Sequence, residues 1–169
     1  MKEKFKKYKW QFITFSILVV ALLTLDLVLK AVAENAFKEK VMILPNFISF
    51  VFVKNTGMAW GLLSNNTILL AIISVVFISI LIYFYLSFTS PNYLYHVGFA
   101  LVICGGLGNL IDRVFLGYVR DFINFEFMNF PVFNIADALL TIGVILLVIY
   151  LIFILPKEIK KRKNETTSK

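Results

Sequence analysis

Four long apolar stretches dominate this sequence and restrict what it can fold into. They cover residues 11–33, 67–88, 93–111 and 138–155, and the second and third contain no Asp, Glu, Lys or Arg. A helix needs about 20 mostly apolar residues to cross the hydrocarbon core, so each stretch predicts one membrane crossing. The composition, 60% hydrophobic and 16% charged, excludes an ordinary soluble domain and a disordered chain. We expect residues 1–169 to form a single membrane-embedded domain.

The basic residues lie mainly near the two ends of the chain. Of the 17 Lys and Arg residues, 11 flank the first or the last apolar stretch. These are Lys2, Lys4, Lys6, Lys7, Lys9, Lys157, Lys160, Lys161, Arg162, Lys163 and Lys169. This positive-inside pattern predicts that both termini, including the polar tail at 157–169, are cytoplasmic. The same placement explains the net charge of +7 without nucleic acid, which we exclude as a partner.

The first apolar stretch also matches a cleaved signal peptide, because a basic start and an apolar run precede Ala31-Val32-Ala33. Against that alternative, the run is long, and Asp26 and Lys30 would be unusual just before a cleavage site. These two residues are four positions apart on one helix face, where they can neutralise each other. We therefore expect a membrane crossing that carries a structural ion pair.

The segment between the first two crossings, residues 34–66, is too long for a tight turn and too apolar for a solvated loop. Residues 41–44 and 47–53 favour short β-strands. Since unpaired backbone cannot face lipid, we expect a small sheet at the outer surface of the membrane. The last connection, residues 112–133, is rich in Phe and Tyr and predicts an interfacial loop. The predicted fold class is an all-α integral membrane protein with four transmembrane helices, a small extracytoplasmic β-sheet and this interfacial loop.

Two groups of polar residues lie at the ends of predicted crossings. Asn55 and Gly57 precede the second crossing and suit a turn. Asn109, Asp112 and Arg113 end the third crossing and share one helix face. A surface ion pair between Asp112 and Arg113 accounts for the second group without any chemistry, since interfacial Arg residues often only extend toward water.

Two aspartates later in the chain suggest acid–base chemistry. Asp121 lies in an alternating apolar and polar segment, as in a strand. Asn134 and Asp137 match the N-cap and N3 positions of a helix, so capping alone accounts for Asp137. The topology places both carboxylates at the outer surface. If they face each other, one pKa rises and the other falls, which makes one a general base toward water and the other a general acid.

Other schemes have less support in the sequence. Cys104, the single Cys, has no nearby base, and His96 lies near the predicted inner end of the third crossing. A zinc cluster of Cys and His is absent. A magnesium-dependent membrane lipid-phosphate transferase stays open, with Asp112, Asp121 and Asp137 as ligands, because hard cations bind carboxylates. A non-enzymatic membrane subunit is a further alternative, in which the charged pairs serve packing and Asp137 is only a cap.

Together these motifs resemble one family, the bacterial lipoprotein signal peptidases (signal peptidase II). The family's motifs fall, in chain order, on Asp26 and Lys30, on Asn55, Gly57, Ala59 and Trp60, on Gly108, Asn109, Asp112 and Arg113, and on the positions of its two catalytic aspartates, Asp121 and Asp137. Two positions depart from the family pattern. Leu27 stands where Gln is common, and Arg120 stands where a second Val is usual. We expect Arg120 to lower the pKa of Asp121 if its charge lies close.

The resemblance implies an intramembrane aspartyl endopeptidase that cuts prolipoproteins just before a diacylglyceryl-modified Cys, at the outer face of the bacterial cytoplasmic membrane. Asp121 and Asp137 would be catalytic, and either could start ionised because a coupled pair titrates as a unit. The residues expected to bind or orient substrate are Asn55, Gly57, Asn109, Asp112, Arg113 and Asn134. The resemblance implies no metal and no cofactor. Its expected partners are lipid-modified prolipoproteins and membrane phospholipids, and a monomer is expected.

Overall fold

The computed structural model describes residues 6–58, 60, 62–88 and 90–167. For residues 165–167 it describes the backbone only. Ala59 of the family motif and Lys2, Lys4 and Lys169 of the basic clusters lie outside the described residues. In chain order, the elements are α1 (Lys9–Ala36), β1 (Val41–Leu44), β2 (Ile48–Asn55), α2 (Thr67–Ser87), α3 (Tyr93–Leu116), β3 (Val119–Phe125), α4 (Ile135–Ile149), a π-helical turn (Tyr150–Ile154) and α5 (Leu155–Thr167).

Among the described residues, four helical segments are long and apolar enough to cross a membrane. They are α1, α2, α3 and the continuous helix Ile135–Asn164, which joins α4 to α5. Helix α3 is central, because 67% of its apolar window is buried inside the protein, against 6% to 11% for the other three. The other helices expose many apolar side chains, as expected of surfaces that face lipid. With its small sheet, this architecture confirms the predicted fold class.

Helices α3 and α4 pack closely because glycines remove side chains where the helices meet. A Cβ atom at Gly105 would overlap the carbonyl oxygen of Ala136, and one at Gly143 would lie 2.7 Å from Val102 Cγ2. Small residues let two backbones approach, as is usual for helices in membranes. The first turn of α4 therefore lies directly against α3.

The three strands form one antiparallel sheet in the order β1-β2-β3. Strand β2 pairs with β3 so that Val53 lies opposite Asp121 and Asn55 lies opposite Val119. Backbone hydrogen bonds of 2.8 and 3.0 Å between Ile123 and Phe133 attach the segment before α4 to the free edge of β3. The sheet therefore brings the end of β2, the middle of β3 and the start of α4 together.

A polar cluster joins the helices at the ends remote from the sheet. His96 is fully buried, with Nδ1 3.0 Å from Tyr85 Oη and Nε2 2.9 Å from the carbonyl oxygen of Ser90. The Ser90 hydroxyl donates to Glu158 Oε1 at 2.7 Å, which attaches α5 to the connection between α2 and α3. These bonds satisfy both ring nitrogens of His96. The cluster lies at the opposite ends of the helices from Asp121 and Asp137.

Candidate active site

Polar side chains from four elements meet where the sheet contacts the helices. Asn55 ends β2, Asn109 lies in the last turns of α3, Asp121 lies on β3 and Asp137 lies in the first turn of α4. All four line one cavity of about 620 Å³. The structure therefore brings together side chains that lie up to 82 positions apart in the sequence, from Asn55 to Asp137.

Asp121 is buried, with 1% of its surface exposed. Its Oδ1 atom accepts a hydrogen bond from Asn134 Nδ2 at 2.6 Å, and its Oδ2 atom accepts one from Asn55 Nδ2 at 2.8 Å. Burial raises the pKa of Asp121, repulsion from Asp137 raises it further, and the two amide donors oppose the rise, so that the pKa is about 7. Asp121 is therefore half protonated near neutral pH, unlike an ordinary aspartate.

Asp137 occupies the predicted N3 position of α4 and completes a capping box. The Asn134 backbone N–H donates to Asp137 Oδ2 at 3.1 Å, and the Asp137 backbone N–H donates to Asn134 Oδ1 at 3.1 Å. The other carboxylate oxygen, Oδ1, accepts a bond from Asn109 Nδ2 at 2.7 Å. Asp137 can therefore cap α4 and also line the cavity, because Oδ2 accepts the capping bond and Oδ1 accepts the bond from Asn109.

Two asparagines connect the two aspartates. Asn134 Nδ2 lies within hydrogen-bond distance of both Asp121 Oδ1, at 2.6 Å, and Asn109 Oδ1, at 3.1 Å. Since Asn109 donates to Asp137, a continuous series of hydrogen bonds runs from Asp121 through Asn134 and Asn109 to Asp137. Such a series fixes the orientation of both carboxylates.

A buried ionic cluster supports this series from behind. Lys30 Nζ donates to Asn109 Oδ1 at 2.9 Å and lies 2.9 Å from Asp26 Oδ2 and 3.6 Å from Asp112 Oδ2. Asp26 Oδ1 accepts a bond from the backbone N–H of Ala136 at 2.9 Å. The pair formed by Asp26 and Lys30 therefore joins α1 to the start of α4, where a carboxylate interacts favourably with the helix dipole.

The family model described as signal peptidase (SPase) II matches residues 18–153, which include every residue of the site. The chain belongs to the signal peptidase II family. It is therefore a peptidase, as the sequence predicted, and the lipid-phosphate transferase and non-enzymatic alternatives lose their support.

Individual relatives of this signal peptidase agree with the family match. Lipoprotein signal peptidases of Lactobacillus johnsonii and Enterococcus faecalis are 41% and 43% identical to it, over 83% and 73% of this chain and 94% and 76% of theirs. A solved structure described as a bacterial membrane enzyme is 36% identical, with a TM-score of 0.77 over 82% of this chain and 87% of that one. A second, under the same description, is 35% identical, with a TM-score of 0.76 over 83% and 94%.

The structure bears on two expectations about charged residues in this signal peptidase. Asp112 does not pair with Arg113. Its carboxylate binds Arg120 Nη2 at 2.7 Å, and the residue is buried outside the cavity wall. A role of Asp112 in binding or orienting substrate stays a prediction. Neighbouring residues on a helix do not face each other, so Arg113 points elsewhere and donates from Nη2 to the carbonyl oxygen of Gly57 at 3.1 Å.

Arg120, one of the two departures from the family pattern, was expected to lower the pKa of Asp121 if its charge lay close. That condition is not met, because the guanidinium of Arg120 binds Asp112 and lies 3.7 Å from Glu34 Oε2. Successive residues on a strand point to opposite faces of the sheet. Arg120 therefore faces α1 and α3, whereas Asp121 faces the cavity.

Sequence reasoning did not assign the apolar part of the cavity wall. It consists of aromatic and aliphatic side chains from α2, α4 and the connection before α4, among them Phe77, Ile78, Phe130, Phe133 and Leu140. The density of Phe in residues 112–133 was a usable signal, but membrane-interface aromatics show the same density. Within the described ranges, no group of three or more His, Cys, Asp and Glu side chains is arranged to hold a metal ion.

Proposed function

We propose that this signal peptidase cuts lipid-modified prolipoproteins just before the diacylglyceryl-modified Cys, with Asp121 and Asp137 as its catalytic pair. The observation that carries the proposal is that both carboxylates line one cavity and are connected through Asn134 and Asn109. The substrate class rests on family membership and on the names of the relatives. The aspartic mechanism rests on this pair.

The different surroundings of the two aspartates support a division of labour. A large fraction of Asp121 is protonated near neutral pH because burial and repulsion from Asp137 raise its pKa to about 7. Asp137 is held by the Asn109 amide and the Asn134 backbone N–H, which orient its carboxyl group toward the cavity. In the proposed reaction, Asp137 removes a proton from water, the water oxygen attacks the carbonyl carbon, and Asp121 protonates the carbonyl oxygen. Collapse of the intermediate returns one hydroxyl proton to Asp121 and breaks the C–N bond, and the proton on Asp137 goes to the leaving amine, so both aspartates regain their starting states.

The remaining cavity residues support roles in binding and orientation. Asn109 and Asn134 hold the carboxylates, and Lys30 holds Asn109. Asn55 is itself oriented, because its Oδ1 atom accepts a bond from the Gly57 backbone N–H at 2.9 Å while its Nδ2 atom donates to Asp121. Arg113 lines the cavity and can donate to a substrate carbonyl group.

We also propose the placement of the enzyme in the membrane. The chain is one membrane-embedded domain with both termini in the cytoplasm and the carboxylate pair near the outer leaflet. The clustering of Lys and Arg at the two ends of the chain supports this orientation. A monomer surrounded by phospholipids accounts for the exposed apolar surfaces of α1, α2 and α4.

The experiment that tests the catalytic pair is a processing assay on a diacylglyceryl-modified precursor in membranes. Asp121→Asn and Asp137→Asn should both insert into the membrane at the wild-type level and both fail to cut. Glu39→Gln, a matched change at an exposed acidic residue outside the cavity, should cut normally. Normal cleavage by either aspartate variant would remove that residue from the pair.

A further inference from the structure

A second cavity meets the active-site cavity at Asp121. It has a volume of about 410 Å³, and Asp121, Asn55, Trp60 and Phe130 belong to the walls of both cavities. The rings of Trp60 and Phe130 are in edge-on contact, with centroids 6.0 Å apart. We name the larger space the inner cavity and the smaller one the outer cavity. A peptide chain that reaches Asp121 from one cavity can therefore leave through the other.

The two cavities differ in the chemistry of the walls that they do not share. The inner cavity extends between α2, α3 and α4, where Phe77, Ile78 and Leu140 line it. The outer cavity is bounded by residues outside the membrane-spanning helices, including the polar side chains of Thr56, Ser64 and Asn129. An apolar segment is stabilised in the first environment, and a hydrated peptide is better accommodated in the second.

A signal peptidase handles a substrate with the same asymmetry. The part before the cut is an apolar membrane segment, whereas the part after the lipidated Cys is a hydrophilic chain that leaves the membrane. If the apolar part of the substrate binds the apolar inner cavity and the hydrophilic part binds the polar outer cavity, the substrate can pass through the site in one direction only. The signal segment takes the inner cavity, and the chain after the cut takes the outer cavity.

We propose that the outer cavity is a binding subsite for the first residues of the mature chain, those that follow the lipidated Cys. The subsite takes an extended, hydrophilic peptide, because the Thr56 hydroxyl and the exposed Asn129 amide line it and the amide can hydrogen-bond a peptide backbone. This inference rests on the proposed function, since it assumes a prolipoprotein cut at Asp121 and Asp137.

The test compares two synthetic substrates that share one signal peptide and one diacylglyceryl-modified Cys. The short substrate ends at the lipidated Cys as an amide, and the long substrate continues for several residues of the mature chain. The measured quantity is the ratio of kcat/KM for the long substrate to kcat/KM for the short one. Because both values come from the same enzyme preparation, a partly misfolded variant lowers both and leaves the ratio unchanged.

Asn129→Trp should lower this ratio about tenfold by filling the outer cavity, mainly through KM of the long substrate. Asn129→Ala, which removes the amide, should lower it about threefold. Asn35→Trp is the matched control, because Asn35 is exposed at the end of α1 and lines neither cavity. Its ratio should stay within about twofold of the wild-type value.

An unchanged ratio in Asn129→Trp, or a parallel loss of cleavage of both substrates, would overturn the subsite. Failure of the proposed function looks different, because the wild-type enzyme would then cut neither substrate before the lipidated Cys. The two failures are therefore separated by the wild-type measurement alone.

Discussion

The protonation of Asp121 depends on opposing effects that individual residues supply. Burial and the charge of Asp137 favour the protonated acid, whereas hydrogen bonds from Asn55 and Asn134 and the charge of Lys30 favour the carboxylate. The balance gives a pKa of about 7, close to the pH at which a general acid is most useful. Substitution of any of these neighbours should therefore shift the pH range in which the enzyme is active.

The pH dependence of cleavage follows from this balance. If Asp121 must be protonated, kcat/KM should fall as the pH rises through about 7, because the proton is lost above the pKa. Asn55→Val removes a donor that stabilises the carboxylate, so the pKa should rise and the alkaline limb should move to higher pH. Asn35→Ala, at an exposed site outside the cavity, should leave the limb in place. A limb that stays fixed or moves to lower pH in Asn55→Val would contradict the acid role of Asp121.

The sequence indicated polar residues that the structure brings together, but it predicted their partners less well. Asp26, Asp121 and Asp137 attract attention because ionisable groups beside a bilayer are costly without a partner or a function. The partners of Asp112 and Arg120 were not foreseen, although helix and strand periodicity already shows that neighbours such as Asp112 and Arg113 diverge. The tertiary fold determines which side chain binds a given charged residue, and it brings Arg120 to Asp112.

The close contact of α3 and α4 sets the geometry of Asp121 and Asp137. Asn109 lies on α3, Asn134 and Asp137 lie at the start of α4, and their mutual hydrogen bonds need the two backbones at short range. The apolar windows predicted the helices, since length and composition suffice for that purpose. They could not predict the π-helical turn Tyr150–Ile154, because no residue type marks a local change in backbone hydrogen bonding.

Gly105→Ala tests the importance of this contact. The added Cβ would overlap the carbonyl oxygen of Ala136, which is backbone and cannot turn aside. We expect a loss of about 1 to 3 kcal/mol in unfolding free energy in detergent and a lower kcat as Asp137 moves away from Asn109. Gly106→Ala is the control for stability, since its Cβ would meet only the flexible side chain of Ile78, at 3.1 Å. Equal losses of unfolding free energy in the two variants would show that the close α3–α4 contact at Gly105 does not limit stability.

One helix links the proposed site to the basic end of the chain. Helix α4 begins beside Asp121 and continues through the π-helical turn into α5, so Ile135–Asn164 runs about 45 Å at the usual rise per residue. That length exceeds the hydrocarbon thickness. We therefore propose that the two ends of this helix lie on opposite sides of the membrane, with the basic end in the cytoplasm.

Labelling with a membrane-impermeant maleimide tests this orientation. Cys104 is fully buried and is the single Cys of the chain, so Cys104→Ala gives a background without thiols. On that background, Asn129→Cys should react in intact cells, because Asn129 is exposed beside the outer cavity. Lys161→Cys, on α5, should react only after the cells are permeabilised. The opposite pattern would place Asp121 and Asp137 at the cytoplasmic surface, where no exported precursor could present its cleavage site to them.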